Sequence, residues 1–257
     1  MHESGATDPV RRDRSSPALV ALGNGLTLPR AGARVPRMVS ELAKVWPVAG
    51  LRAVSGDLEL RWASDDDLLA LAGLAAGGIH ADDYMPFTFP WTRGEPDEVR
   101  RSVLAYHWRK RAAQAPEAWT IDFAVVHDGT VVGSQGASAA DFPVTRTAET
   151  GSWLGTAHQG QGVGTRMRLL VLHLLFDGLG AQEATTGAFV DNAPSNGVTR
   201  RLGYRANGEE WHAREGSAAR TLKYAMSRED WERRPDELRP DVLIEGADAA
   251  RAFLGLA

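Results

Sequence analysis

Gln159-Gly160-Gln161-Gly162-Val163-Gly164-Thr165 places three glycines at alternate positions immediately before a strongly helical run. Glycine lets a backbone approach an anion and adopt turns closed to other residues. The N–H groups of such a turn and of the helix behind it then point outward, with the positive helix end added. The stretch reads as a phosphate cradle. In the run that follows, Met167, Leu170, Val171, Leu174 and Leu175 recur at helical spacing, and Gly178 and Gly180 supply a stop. Two nucleotide motifs are excluded. The fingerprint G-x-G-x-x-G fails because Met167 stands where the third glycine would fall counting from Gly162, and a Walker-type loop needs a lysine that this segment lacks. A plain strand-to-helix turn is the simpler alternative, so the neighbouring sequence decides.

Upstream, residues 147–156 read as the strand that feeds the loop. Before it, Trp119, Ile121, Phe123 and Val125 alternate along residues 119–127, Asp128-Gly129 makes a two-residue hairpin turn, and residues 130–139 return. Pro96 opens a helix to about Ala115 with Val99, Val103, Leu104 and Trp108 inward and Arg100, Arg101, Arg109, Lys110 and Arg111 mostly outward. Leu58, Leu60 and Trp62 alternate in a first strand, and Ser64 ahead of Asp65, Asp66 and Asp67 caps a helix carrying Leu68, Leu71, Ala72 and Leu74. Downstream come a strand over residues 183–190, a short helix over about 194–202, and two strands around 205–214 and 219–227. The order β-α-α-β-β-β-α-β-α-β-β predicts an α/β fold with a mixed sheet and helices on both faces.

The chain has 257 residues, 43% of them apolar, eight tryptophans, no cysteine and a net charge of −4. Length suits one domain of roughly 170 to 200 residues with tails. The charge balance argues against nucleic-acid binding, and the absence of cysteine excludes disulfides, thiolate metal sites and a cysteine nucleophile. No apolar run approaches the roughly 20 residues that cross a bilayer, so no membrane contact and a cytoplasmic location are expected. Residues 1–50 mix arginine, serine, glycine and proline without periodicity. They are predicted to be a disordered arm, dispensable for catalysis and without the apolar region of a secretory signal. Residues 51–231 form the predicted domain, and residues 232–257 a charged tail with a short docking helix.

Three clusters converge on one site: Glu149 to Leu154 on the strand entering the loop, the loop itself, and Asn192-Ala193-Pro194-Ser195 after the next strand. The run from Glu149 to Gly164, ending His-Gln-Gly-Gln-Gly-Val-Gly, together with Asn192-x-x-Ser195 and Arg201-Leu202-Gly203-Tyr204, resembles the GCN5-related N-acetyltransferases (GNAT). Within them it is similar to the branch of the ribosomal-protein N-terminal acetyltransferases, and the likeness covers about residues 58–231. The 86–91 segment and Arg214-Glu215-Gly216 look like an actinobacterial subgroup with succinyl-CoA as a second candidate donor. The resemblance implies a mostly antiparallel sheet with a strand–glycine loop–helix CoA site, and an acyl group moved from acetyl-CoA or succinyl-CoA to a primary amine of a small molecule or protein. It also allows a homodimer.

The resemblance assigns roles residue by residue. The amides of Gln159, Gly160, Gln161, Gly162, Val163, Gly164 and Thr165 would bind the CoA pyrophosphate, and the backbone near Leu154 would pair with the pantetheine arm as an added strand does. Asn192 would hydrogen-bond the pantetheine, and Ser195 would lie nearest the sulfur. Glu149 would be the base, directly or through water. The simpler readings are a solvated strand glutamate, and for Asn192 and Ser195 the capping of the short helix they open. Relatives often place a tyrosine acid five residues before the last aromatic of this motif, and here that position is Thr199. Tyr84, Phe87 and Trp91, in a proline-broken loop, are candidates to line the acceptor pocket or merely to cover the core. No metal is expected, since His158, His173 and His212 lack ligand spacing and His173 is placed on the outer face of its helix. The rival function is an acyl-CoA-binding or sensing module without turnover.

Overall fold

The structure, a computed structural model, describes residues 40–256. Most of the predicted arm, residues 1–39, lies outside that range, but its last part is ordered. Helix α1 (Glu41–Val45), capped by Ser40, leads through a 3-10 turn (Pro47–Gly50) toward the first strand. Val48 is fully buried, and the Trp46 ring packs 5.0 Å from Phe253 while its indole N–H donates to Gln114 at 3.0 Å. Composition hides this anchoring because the surface receiving the two side chains comes from the far end of the chain.

Strand β1 (Arg52–Ser55), absent from the sequence reading, forms a hairpin with β2 (Leu58–Trp62). Helix α2 (Asp65–Ala76) begins at Ser64, whose hydroxyl and the Asp67 carboxylate make a reciprocal cap. After a long loop, α3 (Pro96–Ala112) buries Val99, Val103 and His107, each four residues from the last. Trp108, expected inward, stands one residue off that stripe and is 51% exposed. Strands β3 (Ala118–His127) and β4 (Thr130–Ala140) are joined by Asp128 and Gly129 at φ 48° and 77°, the positive values a tight hairpin needs.

A helical turn, α4 (Phe142–Thr145), precedes β5 (Thr147–Leu154). The glycine loop then enters α5 (Val163–His173), which is extended by one π-turn (Leu174–Gly178). Every residue of α5 from Met167 to His173 is buried, so the helix is enclosed on more sides than a one-sided stripe suggests. His173 is therefore not on an outer face: its Nδ1 lies 2.8 Å from Asp177 and its ring 4.6 Å from Trp231. The chain continues through β6 (Glu183–Phe189), α6 (Ala193–Arg201), β7 (Arg205–Arg214), β8 (Ser217–Ser227) and α7 (Arg228–Glu232). The fully buried Trp231 of α7 stacks on Phe176 and closes that side of α5. The segment after Trp231, read as a tail with a short docking helix, carries that helix as α8 (Ala247–Phe253), with Leu254 and Leu256 buried, and also adds β9 (Leu243–Glu245) beside β1. Each such leucine contributes about 1.5–3 kcal/mol.

The strands described lie in the order β7-β8-β6-β5-β4-β3-β2-β1-β9. Every neighbouring pair is antiparallel except β5 and β6. Helices α2 and α3 cover one face over Ala124 and Val126, and α5 covers the other over residues such as Ile121 and Phe123.

Candidate active site

The parallel pair is also a short seam in the middle of the sheet. Strands β5 and β6 pair only over Thr147–Glu149 with Glu183–Thr185, then part, and side chains replace the ladder at the fork. Thr150 Oγ1 donates to the Thr185 carbonyl at 3.2 Å and Thr186 Oγ1 to the Thr150 carbonyl at 2.9 Å. Beneath the fork Arg168 of α5 is 4% exposed and donates to Thr186 Oγ1 and Ser152 Oγ, both at 3.1 Å. Its Nε has no partner, and burial lowers its pKa from the ordinary arginine value. The parting opens a cavity of about 1170 Å³ that reaches both faces of the sheet. Alternation along β5 puts Thr150 and Ser152 on the α5 face, and Glu149, Gly151 and Trp153 on the α2/α3 face.

On the α5 face stands the glycine loop. Gly160 and Gly162 have φ of 73° and 82°, which side chains tolerate poorly, and a Cβ on either would meet only open space. Gly162 caps α5. The Gln159 N–H is taken by the Thr156 carbonyl and the Thr165 N–H by the Gly162 carbonyl, so these two predicted amides serve the turn itself. Among the described residues those of Gly160, Gln161, Gly162, Val163 and Gly164 make no turn or cap bond, and they lie at the N-terminus of α5, where the helix favours an anion. The Gln159 side chain pins the loop, donating to Ile79 and Leu154 carbonyls, both at 2.9 Å. Leu154 ends β5 beside the loop, and the edge of β5 facing β6 is unpaired beyond Glu149.

Helix α6 closes the same side. Asn192 Oδ1 accepts from the Ser195 N–H at 3.1 Å, so the capping role is real, and it leaves the Asn192 amide donors and the Ser195 hydroxyl at the cavity wall. Thr199, where relatives carry a tyrosine, is buried and donates back to the Ser195 carbonyl.

On the opposite face the carboxylate of Glu149 is half exposed and lies 3.2 Å from Lys223. The aromatic loop forms the far wall: Phe87, Trp91 and Trp153 make a chain of rings with centroids 5.1 and 5.8 Å apart. Tyr84 donates to Asp191 at 3.2 Å, and burial followed by that carboxylate pushes its phenol up to about 12. Asp191 also accepts two bonds from Arg214, and Glu215 pairs with Arg93 at 2.7 Å, so the β7–β8 turn is strapped to the aromatic loop.

Residues 57–205 match the Acetyltransferase (GNAT) domain. The chain belongs to this acetyltransferase family. A GCN5-related N-acetyltransferase from Brucella melitensis is similar at 19% identity and TM-score 0.56, covering 79% of this chain and 85% of that one. RimL, a ribosomal L7/L12 alpha-N-protein acetyltransferase in complex with coenzyme A, is similar at 22% identity and TM-score 0.55, covering 69% of this chain and 97% of that one. Likeness at this level is likeness of fold.

In this GNAT chain the residues nominated from sequence line one cavity, except Gln161 and the buried Val163, with the residues nominated for the cofactor on the α5 face and Glu149, Tyr84, Phe87 and Trp91 on the other. Missed were Arg168, Lys223, Trp153 and the pair Tyr106 and Asp122, because each belongs to an element whose sequence pattern reports only a helix face or a strand. Among the described residues, Asp57, His127 and Asp128 lie close enough to share a cation. Asp57, however, is already bonded to Arg166 and His127.

Proposed function

We propose that this chain transfers an acyl group from CoA to a primary amine by direct attack in a ternary complex, as the ribosomal-protein acetyltransferase branch does. The observation that carries the proposal is the cavity at the β5–β6 fork, with an anion cradle on one face and carboxylates on the other. The amides of Gly160 to Gly164 hold the pyrophosphate, the unpaired edge of β5 near Leu154 receives the pantetheine, and Asn192 and Ser195 border its sulfur end. The amine enters past Tyr84, Phe87 and Trp91 toward Glu149. Its nitrogen bonds to the thioester carbon, the C–S bond breaks, and the thiolate takes a proton beside Ser195. Acetyl-CoA is the default donor. Arg168, a buried cation whose bonded partners are neutral hydroxyls, supports succinyl-CoA as a second donor, because a carboxylate on the acyl chain would complete its bonding.

The test is thiol release from acetyl-CoA and succinyl-CoA with a panel of peptides bearing free N-termini, polyamines and amine antibiotics. Steady release with one acceptor class supports the proposal. Tight CoA binding without release across the panel makes the chain a binding module instead.

A further inference from the structure

The acceptor face holds a second carboxylate better placed than Glu149 for proton transfer. Asp122 lies in the middle of β3, opposite Gly136 of β4, and Gly136 lies opposite Gly151 of β5. Three consecutive strands thus carry Asp, Gly and Gly in one row, a span of about 10 Å. The glycines decide where the carboxylate goes. A Cβ at position 136 would stand 2.4 Å from Asp122 Oδ1, so the side chain lies flat across β4 in the space that a side chain there would fill. At Gly151 a Cβ would meet nothing within 4 Å, so beyond the carboxylate the row is open to the cavity, beside the point where β5 and β6 part.

The surroundings of Asp122 answer its charge only in part. Its side chain is 13% exposed, and Oδ2 is buried without a hydrogen-bond partner. The nearest ring nitrogen, His107 Nδ1, is 3.9 Å away, and burial with the Arg111 charge pushes that imidazole down to about 4, so it is neutral near pH 7. From α3 the facing groups are Tyr106, His107, Arg109 and Lys110; from β5 there is Glu149, backed by Lys223 of β8; β4 offers only glycine and serine. Burial pushes the Asp122 carboxyl up to about 6, with the Lys110 charge and then a hydrogen bond from the Tyr106 hydroxyl opposing. Glu149, in contrast, is half exposed and neutralised by Lys223.

Building on the acyltransferase reading above, we infer that Asp122 is the group that takes the proton from the acceptor ammonium, and that Glu149 with Lys223 orients the amine. The ammonium gives one proton to Asp122, and the freed nitrogen forms the N–C bond. As the C–S bond breaks, the thiolate takes the second proton from that nitrogen, and Asp122 passes its own to solvent. A carboxylate kept from water and near neutral in affinity is matched to this task, and such a base contributes about 10²- to 10⁴-fold in rate.

The experiment compares wild type, Asp122→Asn and Glu149→Gln with acetyl-CoA and the best acceptor of the panel, across pH 5 to 9, with CoA affinity measured alongside. Asp122→Asn should keep wild-type CoA affinity, lose at least about 100-fold in kcat, and lose the rise in rate through about pH 6. Glu149→Gln should keep that rise. An Asp122→Asn enzyme with wild-type kcat, or one that is slow with the same pH limb, overturns the assignment while the acyltransferase reading stands. Absence of thiol release by the wild type removes both. Should Asp122→Asn fail to bind CoA, Gly136→Ala carries the test: it displaces the carboxylate without removing it and should move the limb, and an unmoved limb overturns the assignment.

Discussion

Lys223 Nζ lies 3.2 Å from the carboxylate of Glu149 and 3.7 Å from that of Glu210, so one ammonium on β8 serves two acids at the cavity mouth. Partly solvated pairs of this kind contribute at most about 1 kcal/mol to stability, which leaves Glu149 free to be replaced without unfolding the sheet. Glu149→Gln should raise the acceptor KM about tenfold and lower kcat by less than that, with the Kd for CoA unchanged, in steady-state kinetics paired with calorimetry. A weakened CoA Kd would place Glu149 in the donor site instead.

Gly162 should be indispensable for the donor. Its φ of 82° costs a β-branched residue on the order of 1–3 kcal/mol, and the strain falls on the turn whose amides form the cradle. Gly162→Val should abolish CoA binding while circular dichroism and the melting transition report a folded chain. Unchanged CoA affinity in that folded variant removes the cradle from the site.

The N-terminal boundary should fall between residues 38 and 50. A chain starting at Met38 keeps α1, Trp46 and Val48 and should match full-length turnover. A chain starting at Gly50 loses the Trp46 contacts with Phe253 and Gln114 and the buried Val48. Removing a packed tryptophan costs about 3–5 kcal/mol, and its melting temperature should drop by on the order of 10 °C. Equal melting temperatures would show that residues 40–50 dock too weakly to matter.

Asp122 should make stability depend on pH in a direction opposite to that of most carboxylates. With its folded pKa raised to about 6, the protonated form is favoured by folding. The contribution is full below the unfolded value near pH 4 and is lost as pH rises through about 6. Asp122→Asn lacks this loss. In urea titrations the variant should equal wild type near pH 4 and gain up to roughly 3 kcal/mol above pH 7, less any cost of its unpaired amide. A variant less stable than wild type at pH 8 would show that the carboxylate is stabilised in the native state.

The side of the cavity proposed for the donor was legible in the chain itself, because a glycine loop before a helix is local: Gly160, Gly162 and Gly164 lie within five residues of one another, and Asn192 and Ser195 announce a helix start. The alternations and caps that set strands β2 to β8 and helices α2, α3, α5 and α6 are equally short-range. What the chain could not report is pairing across distance. Val48 and β9 became structural only when β1 and α8 met them, Trp108 and His173 exchanged exposure for burial or the reverse once neighbouring elements were placed, and Arg168 was an ordinary helix arginine until the fork lay over it. Asp122 and Gly136 are 14 positions apart and look like interruptions in two strands. Register alone sets one over the other and opens the row toward Gly151, because hydrogen-bonded strands align side chains that share no sequence signal.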